Sequence, residues 1–215
     1  MDPLRITILH NEPNPEYEFH CEAVAACLPD ATELAFTRGE RPSLDRTDAV
    51  VLTGSTCGVY ERDDQPWIGD LEALIRTLVE RRIPTLGVCF GHQVANTALG
   101  GTVEHVGFRA ELVAVDFEED PLFEGVSPIV PVLHGDQVTT PGAGMRPIAS
   151  AGYYPLFGTR HERAPLWTVQ FHPELGPSMV EALRARFDWR EGAHSFESVT
   201  PCRVFENFRG LLGGR

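Results

Sequence analysis

The sequence predicts an α/β protein built on an open, mostly parallel sheet flanked by helices, with a small antiparallel addition. Three observations carry this. Strand and helix patterns alternate from residue 5 to residue 99, as in consecutive strand–helix–strand units. The strands are continuous apolar runs, as expected of parallel strands buried on both faces. After Gly101 the texture changes to short strand-like runs separated by glycine and proline.

Residues 5–10 form the first strand, ending in the breaker-rich loop Asn11-Glu12-Pro13-Asn14-Pro15. Residues 16–28 read as a helix, because Phe19, Ala23, Ala26 and Cys27 recur at helical spacing. Residues 31–37 form the next strand, and 48–54, with the core Ala49-Val50-Val51-Leu52, a clearer one. Residues 67–82 are helical, with Leu71, Leu74, Ile75 and Leu78 on one stripe. Residues 83–88 are again a buried strand, and 91–99 a helix closed by Gly100-Gly101. The runs 110–117, 129–134, 147–151 and 166–171 make the antiparallel layer of the same domain. A helix follows over 175–190 and a last one over 204–212, with the polar stretch 191–200 as loop or insertion. The expectation is one domain over residues 1–215, with an insertion at about 175–203.

Composition narrows the function classes. The net charge is -13, with 31 acidic residues against 18 basic, and every basic residue is arginine. Such a field disfavours nucleic-acid backbones and anionic membranes, so neither is an expected partner. Acidic, lysine-free surfaces fit salt-loving microbes, and a GC-rich genome favouring arginine codons is the alternative reading. No apolar run approaches the roughly 20 residues that cross a bilayer. The start, Met1-Asp2-Pro3-Leu4-Arg5, lacks a signal-peptide pattern, so a soluble, cytoplasmic chain is expected. The five scattered cysteines do not resemble a disulfide framework, and Cys21 and Cys27 have no metal-site spacing. No metal or cofactor is expected.

The chemistry concentrates in two places. Gly87-Val88-Cys89-Phe90-Gly91 has the G-x-nucleophile-x-G form of a nucleophile elbow, with sulfur in place of hydroxyl. Small neighbours let a strained strand-to-helix turn close, and the helix N-terminus behind it favours thiolate. From these five residues alone, a packed core thiol fits equally well. The second place is Gln170-Phe171-His172-Pro173-Glu174 at the end of an apolar strand. Residues two apart on extended backbone share a face, so Glu174 can orient His172 as a base.

These segments, with Val50 to Ser55 (VVLTGS) and His134 to Val138 (HGDQV), resemble the class I (triad) glutamine amidotransferases, nearest to the GMP synthase type. Phe205 to Leu212 (FENFRGLL) looks like that family's C-terminal helix. The resemblance implies a flavodoxin-like fold and hydrolysis of the glutamine side-chain amide, with Cys89 as nucleophile, His172 as acid–base and Glu174 as its orienter. It implies an oxyanion hole from the backbone N–H groups of Gly54 and Phe90. Gln93, His134, Gly135 and Asp136 would line the substrate site, although Gln93 could simply occupy the helix's first turn and Asp136 could cap a turn. His92 is expected to point away; Cys21, Cys27, Cys57 and Cys202 are expected to be inert, with Cys57 close to the site. Trp67, Trp167 and Trp189 read as packing.

The sequence departs from the family pattern after Gly54, where Ser55-Thr56-Cys57-Gly58 replaces the usual glycine and proline, and in the roughly 30 residues before the last helix. A lysine-free chain holds no G-x-x-x-x-G-K-[ST] loop, so the resemblance implies ammonia transfer to a separate synthetase partner. A stand-alone hydrolase of γ-glutamyl amides and a non-catalytic module of the same fold are the alternatives. Dienelactone-hydrolase-like elbows would need an Asp and a later His in separate loops. PfpI-type proteins place a histidine directly after the cysteine, where this chain has Phe90.

Overall fold

The parallel block that the sequence predicts is present in the computed structural model, which describes residues 4–190 and 192–213. The chain start Met1 to Pro3 and Glu191, both named above, lie outside the described residues. Strands β1 (Ile6–His10), β2 (Thr32–Ala35), β3 (Ala49–Leu52) and β4 (Thr85–Val88) pair in parallel. Helix α1 (Phe19–Cys27) connects β1 to β2, α2 (Trp67–Glu80) connects β3 to β4, and α3 (Phe90–Ala98) follows β4. Both faces of the sheet are covered. In β3, Ala49 and Val51 face one core cluster while Val50 and Leu52 face the other. The stripe Leu71, Ile75 and Leu78 of α2 joins α3 on the second face. Strand β2 lies on one side of β1 and β3 on the other, so the order in which strands are added to the sheet reverses between β1 and β3. Open sheets bind ligands beyond the carboxyl ends of their strands at such a point.

The strands of the second half differ from expectation in three ways. Strand β9 (Leu166–Val169) belongs to the parallel block: it pairs with β4 and only its other edge is antiparallel, to β8 (Tyr154–His161). β8 itself is absent from the sequence reading, because Pro155 and Gly158 interrupt its apolar pattern. β5 (Thr102–Phe117), β6 (Ile129–Thr140) and β7 (Met145–Ala151) complete the order β2-β1-β3-β4-β9-β8-β7-β5-β6. β5 and β6 extend beyond their apolar halves through segments of mixed polarity and exposure, held by ladder hydrogen bonds that hydrophobic patterning does not report.

The expected helix over 175–190 shrinks to α4 (Val180–Arg186), because the chain is extended at Phe187. The segment packs all the same: Leu175 and Leu183 bury against Ala110 and Leu133, with Phe187, Trp189 and Phe196 around them. The helix expected from residue 16 starts at Phe19, after a single 3-10 turn at Pro15–Tyr17. α5 (Arg203–Leu212) buries Val204, Phe205, Phe208 and Leu212 in the core. Among the described residues, no helix is long and apolar enough to cross a membrane.

The cysteine expectation is overturned. Cys27 and Cys202 form a disulfide across 175 residues of sequence, with Cα atoms 5.2 Å apart. Spacing along the chain cannot reveal it, because the pair is made by docking the end of α1 against the start of α5. Closing so long a loop restricts the unfolded chain, by on the order of 5 kcal/mol in the chain-entropy model. Reductant should therefore lower the melting temperature by roughly 10–20 °C, and Cys27→Ser should lower it equally and abolish the response to reductant. Calorimetry with and without reductant checks this.

Candidate active site

The elbow forms as its glycines require. Cys89 sits between β4 and α3 with φ 53° and ψ -104°, a conformation that side-chain-bearing residues rarely hold. A Cβ on Gly87 would lie 2.5 Å from the Gly91 carbonyl oxygen, and one on Gly91 would lie 2.6 Å from that of Leu52. Both glycines are steric necessities of the turn. The Cys89 N–H donates to the Val169 carbonyl at 2.8 Å, anchoring the elbow to β9.

β9 carries the second half of the site. Val88 and Val169 lie opposite one another in the parallel ladder, so Cys89 and Gln170 leave adjacent strand ends together. The chain runs on to His172, whose Nδ1 lies 2.6 Å from Glu174 Oε1. Cys89 Sγ and His172 Nε2 both approach the Leu133 carbonyl oxygen, at 3.5 and 3.4 Å. All three side chains are buried. Burial opposes charge on His172, but Glu174 and Cys89 outweigh it and raise the imidazole well above its ordinary value. A thiol, an imidazole and a carboxylate in this order have the chemistry that a nucleophile, a base and an orienting group require.

A cavity of about 340 Å³ opens in front of Cys89 and His172. Gln93, His134, Gly135 and Asp136 line it. The Gln93 amide donates to Gln170 Oε1 and to the Asp136 carbonyl, both at 3.3 Å, so it ties the elbow helix to both flanking strands. His134 lies between the Asp136 carbonyl, 3.0 Å from Nδ1, and the Tyr153 hydroxyl, 2.9 Å from Nε2. Burial pulls its pKa down to about 4. The Asp136 carboxylate accepts from His105 at 2.8 Å. Gly54 packs edge-on to the base: a Cβ there would lie 3.3 Å from His172 Cε1. Phe90 is the first residue of α3, where backbone N–H groups have no partner within the helix. His92 points away, between Thr168 and Tyr154, and burial lowers it to about 3. Cys57 lies on the cavity wall, its thiol pushed up to about 11 by burial.

Several residues were not legible as parts of the site. Gln170, inside the quoted motif, donates its amide to Cys89 Sγ at 3.5 Å. His20 of α1 reaches the cavity wall, its ring centre 6.1 Å from that of His172. Burial works against a charged His20, yet the neighbouring Cys21 thiol and the Glu12 carboxylate outweigh it and raise the imidazole to about 10. Phe187 forms an aromatic wall at the mouth with Tyr17 and Phe108, ring centres 5.6 and 6.0 Å away. Only the breaker-rich loop after β1 and the unexplained insertion could have pointed to these. Among the described residues, no group of His, Cys, Asp and Glu side chains could hold a metal ion.

Known proteins share this chain's sequence pattern and fold. The family model "glutamine amidotransferase class-I" matches residues 23–185. The glutamine-hydrolysing GMP synthase of Wolinella succinogenes is 31% identical over 176 residues, 78% of this chain and 31% of that protein. The same enzyme of Streptomyces coelicolor is 31% identical over 77% of this chain and 34% of its own length. The chain thus spans about a third of the length of these relatives. A glutamine amidotransferase structure from Thermotoga maritima superposes with a TM-score of 0.74 at 20% identity, covering 100% of this chain and 95% of that one. Another, from Methylobacillus flagellatus, gives 0.69 at 18% identity, covering 98% and 92%. At these identities the structural matches establish the fold.

The buried histidines set an acid limit to the fold. His92 and His134 are held neutral in the native state, with pKa values near 3 and 4, while the unfolded chain protonates near 6.5. The unfolded state therefore binds more protons below pH 6.5, and stability falls as the pH falls towards 4. Replacing His92 with Gln should flatten the pH dependence of the unfolding free energy between pH 4.5 and 6 by about 1.4 kcal/mol per pH unit. Urea titrations across that range measure the slope.

Proposed function

The chain belongs to the class I glutamine amidotransferase family, and on that premise we propose that it hydrolyses the side-chain amide of glutamine through Cys89, His172 and Glu174. The observation that carries this reading is the buried His172–Glu174 pair at 2.6 Å, facing Cys89 across the shared Leu133 carbonyl. Cys89 Sγ attacks the amide carbon while His172 Nε2 takes the thiol proton. The carbonyl electrons move onto oxygen, and the N–H groups of Gly54 and Phe90 receive the oxyanion. Collapse breaks the C–N bond, and His172 gives its proton to the departing nitrogen, releasing ammonia and leaving a γ-glutamyl thioester. Water, deprotonated by His172, then attacks the thioester and releases glutamate. Glu174 holds the imidazole orientation throughout.

The relatives named as GMP synthase support a synthetase partner as the ammonia acceptor, with this chain supplying the glutaminase part. The conservative domain reading is one amidotransferase-like unit with an insertion near 175–203. The aromatic wall of Tyr17, Phe108 and Phe187 at the mouth favours a second reading, in which the substrate is a bulkier γ-glutamyl amide and no partner is needed.

Assays of glutamate and ammonia from glutamine, with and without a GMP synthase-type synthetase subunit, test the first reading. Cys89→Ala and His172→Ala should each lower kcat by a factor of about 10³ or more, and Glu174→Gln by less. An unchanged rate in Cys89→Ala would refute the mechanism. Under the second reading, a γ-glutamyl anilide is cleaved faster than glutamine by the isolated chain. Phe187→Ala should then lower kcat/KM for the anilide about tenfold while sparing glutamine.

A further inference from the structure

Glu12 lies where the sheet divides, just beyond the carboxyl end of β1, and its side chain is fully buried. An ionised carboxylate in that position is costly unless donors surround it. Four converge on it. Oε2 accepts from the Thr56 N–H at 2.7 Å, and His20 Nε2 lies 3.4 Å away. Oε1 accepts from the Thr56 hydroxyl at 2.8 Å and from the Asn14 N–H at 2.9 Å. Burial alone would raise the Glu12 carboxyl, but these bonds hold it below its ordinary value.

Two of the four donors belong to Thr56, on the loop that follows Gly54. That loop reads Gly54-Ser55-Thr56-Cys57-Gly58, without a proline to stiffen it. Its other side-chain tethers are local, from Cys57 N–H to Ser55 Oγ and from Gly58 N–H to Glu61. Among the described residues, only the Glu12 clamp ties this loop to a distant part of the chain, 44 residues away in sequence. The same carboxylate contacts His20, and Gly54 is wedged between the rings of His20 and His172.

We infer that Glu12 is a positioning residue of the reaction: its carboxylate pins the Gly54 loop so that the Gly54 N–H meets the oxyanion of the tetrahedral intermediate. The inference rests on the amide-hydrolysis reading above. A donor must stand about 2.7–3.1 Å from the developing oxyanion, so a loop loosened by a fraction of an ångström forfeits much of its effect.

The test separates oxyanion stabilisation from thiol reactivity. Iodoacetamide alkylates Cys89 by displacement of iodide, a step that builds no oxyanion, and peptide mass distinguishes Cys89 from Cys21 and Cys57. For Glu12→Gln, kcat on glutamine should fall about 10- to 100-fold, because the amide's NH₂ opposes a donor it cannot pair with. KM and the Cys89 alkylation rate should each stay within about 3-fold, since neither depends on the oxyanion contact. Thr56→Val, which keeps the N–H bond, should show the same split with a smaller loss, and it carries the test if Glu12→Gln fails to fold. Hydrolysis and alkylation falling by equal factors, or an unchanged kcat in both variants, would overturn the inference. A wild-type chain that is alkylated at Cys89 but cleaves no γ-glutamyl amide would instead sink the amide-hydrolysis reading itself, before any Glu12 variant is made.

Discussion

The site depends on one steric constraint: the turn between β4 and α3 closes only if residues 87 and 91 lack a Cβ. The missing Cβ atoms let α3 approach Leu52 of β3 and leave room for the tight turn in which Cys89 takes positive φ. The thiol then stands above the strand ends instead of packing between them. The Val88–Val169 pairing sets where the base can be, because it brings the end of β9 beside the elbow. A thiol from residue 89 and an imidazole from residue 172 meet because two strands end level, with the Cys89 N–H bonded to Val169.

That logic explains what the sequence could disclose. Gly87, Cys89 and Gly91 form a local pattern whose spacing follows from the steric need, so the elbow was readable. His172 and Glu174 sit two apart on extended backbone, which puts them on one face wherever the strand lies. The parallel block was readable because burial on both faces leaves runs such as Ala49-Val50-Val51-Leu52 nearly without polar interruption. β9 was misassigned to the antiparallel layer because a four-residue apolar strand reads the same in either direction. The Cys27–Cys202 bridge and the Glu12–Thr56 clamp span 175 and 44 residues, and the tertiary fold alone creates such pairs. Phe187 was hidden for a different reason: its role requires an extended end to a segment whose periodicity suggests helix throughout.

The histidines show how environment assigns unlike roles to one side chain. His92 has hydroxyls as partners and is buried without a countercharge, so it stays neutral and joins α3 to the sheet. His134 is likewise neutral and braces the cavity wall through Tyr153. His172 is as deeply buried, yet the carboxylate of Glu174 reverses the direction of its shift. Among these three, a carboxylate partner marks the residue suited to hold and return a proton.

The central claim, that Cys89 is the thiol that attacks a γ-glutamyl amide, is tested most directly by a diazo-ketone analogue of glutamine. Three thiols are free, those of Cys21, Cys57 and Cys89. The account predicts that amidase activity disappears in step with a single label per chain, and that peptide mass places the label on Cys89. Inactivation with the label on Cys21, Cys57 or another residue would contradict it, as would full activity in protein labelled at Cys89.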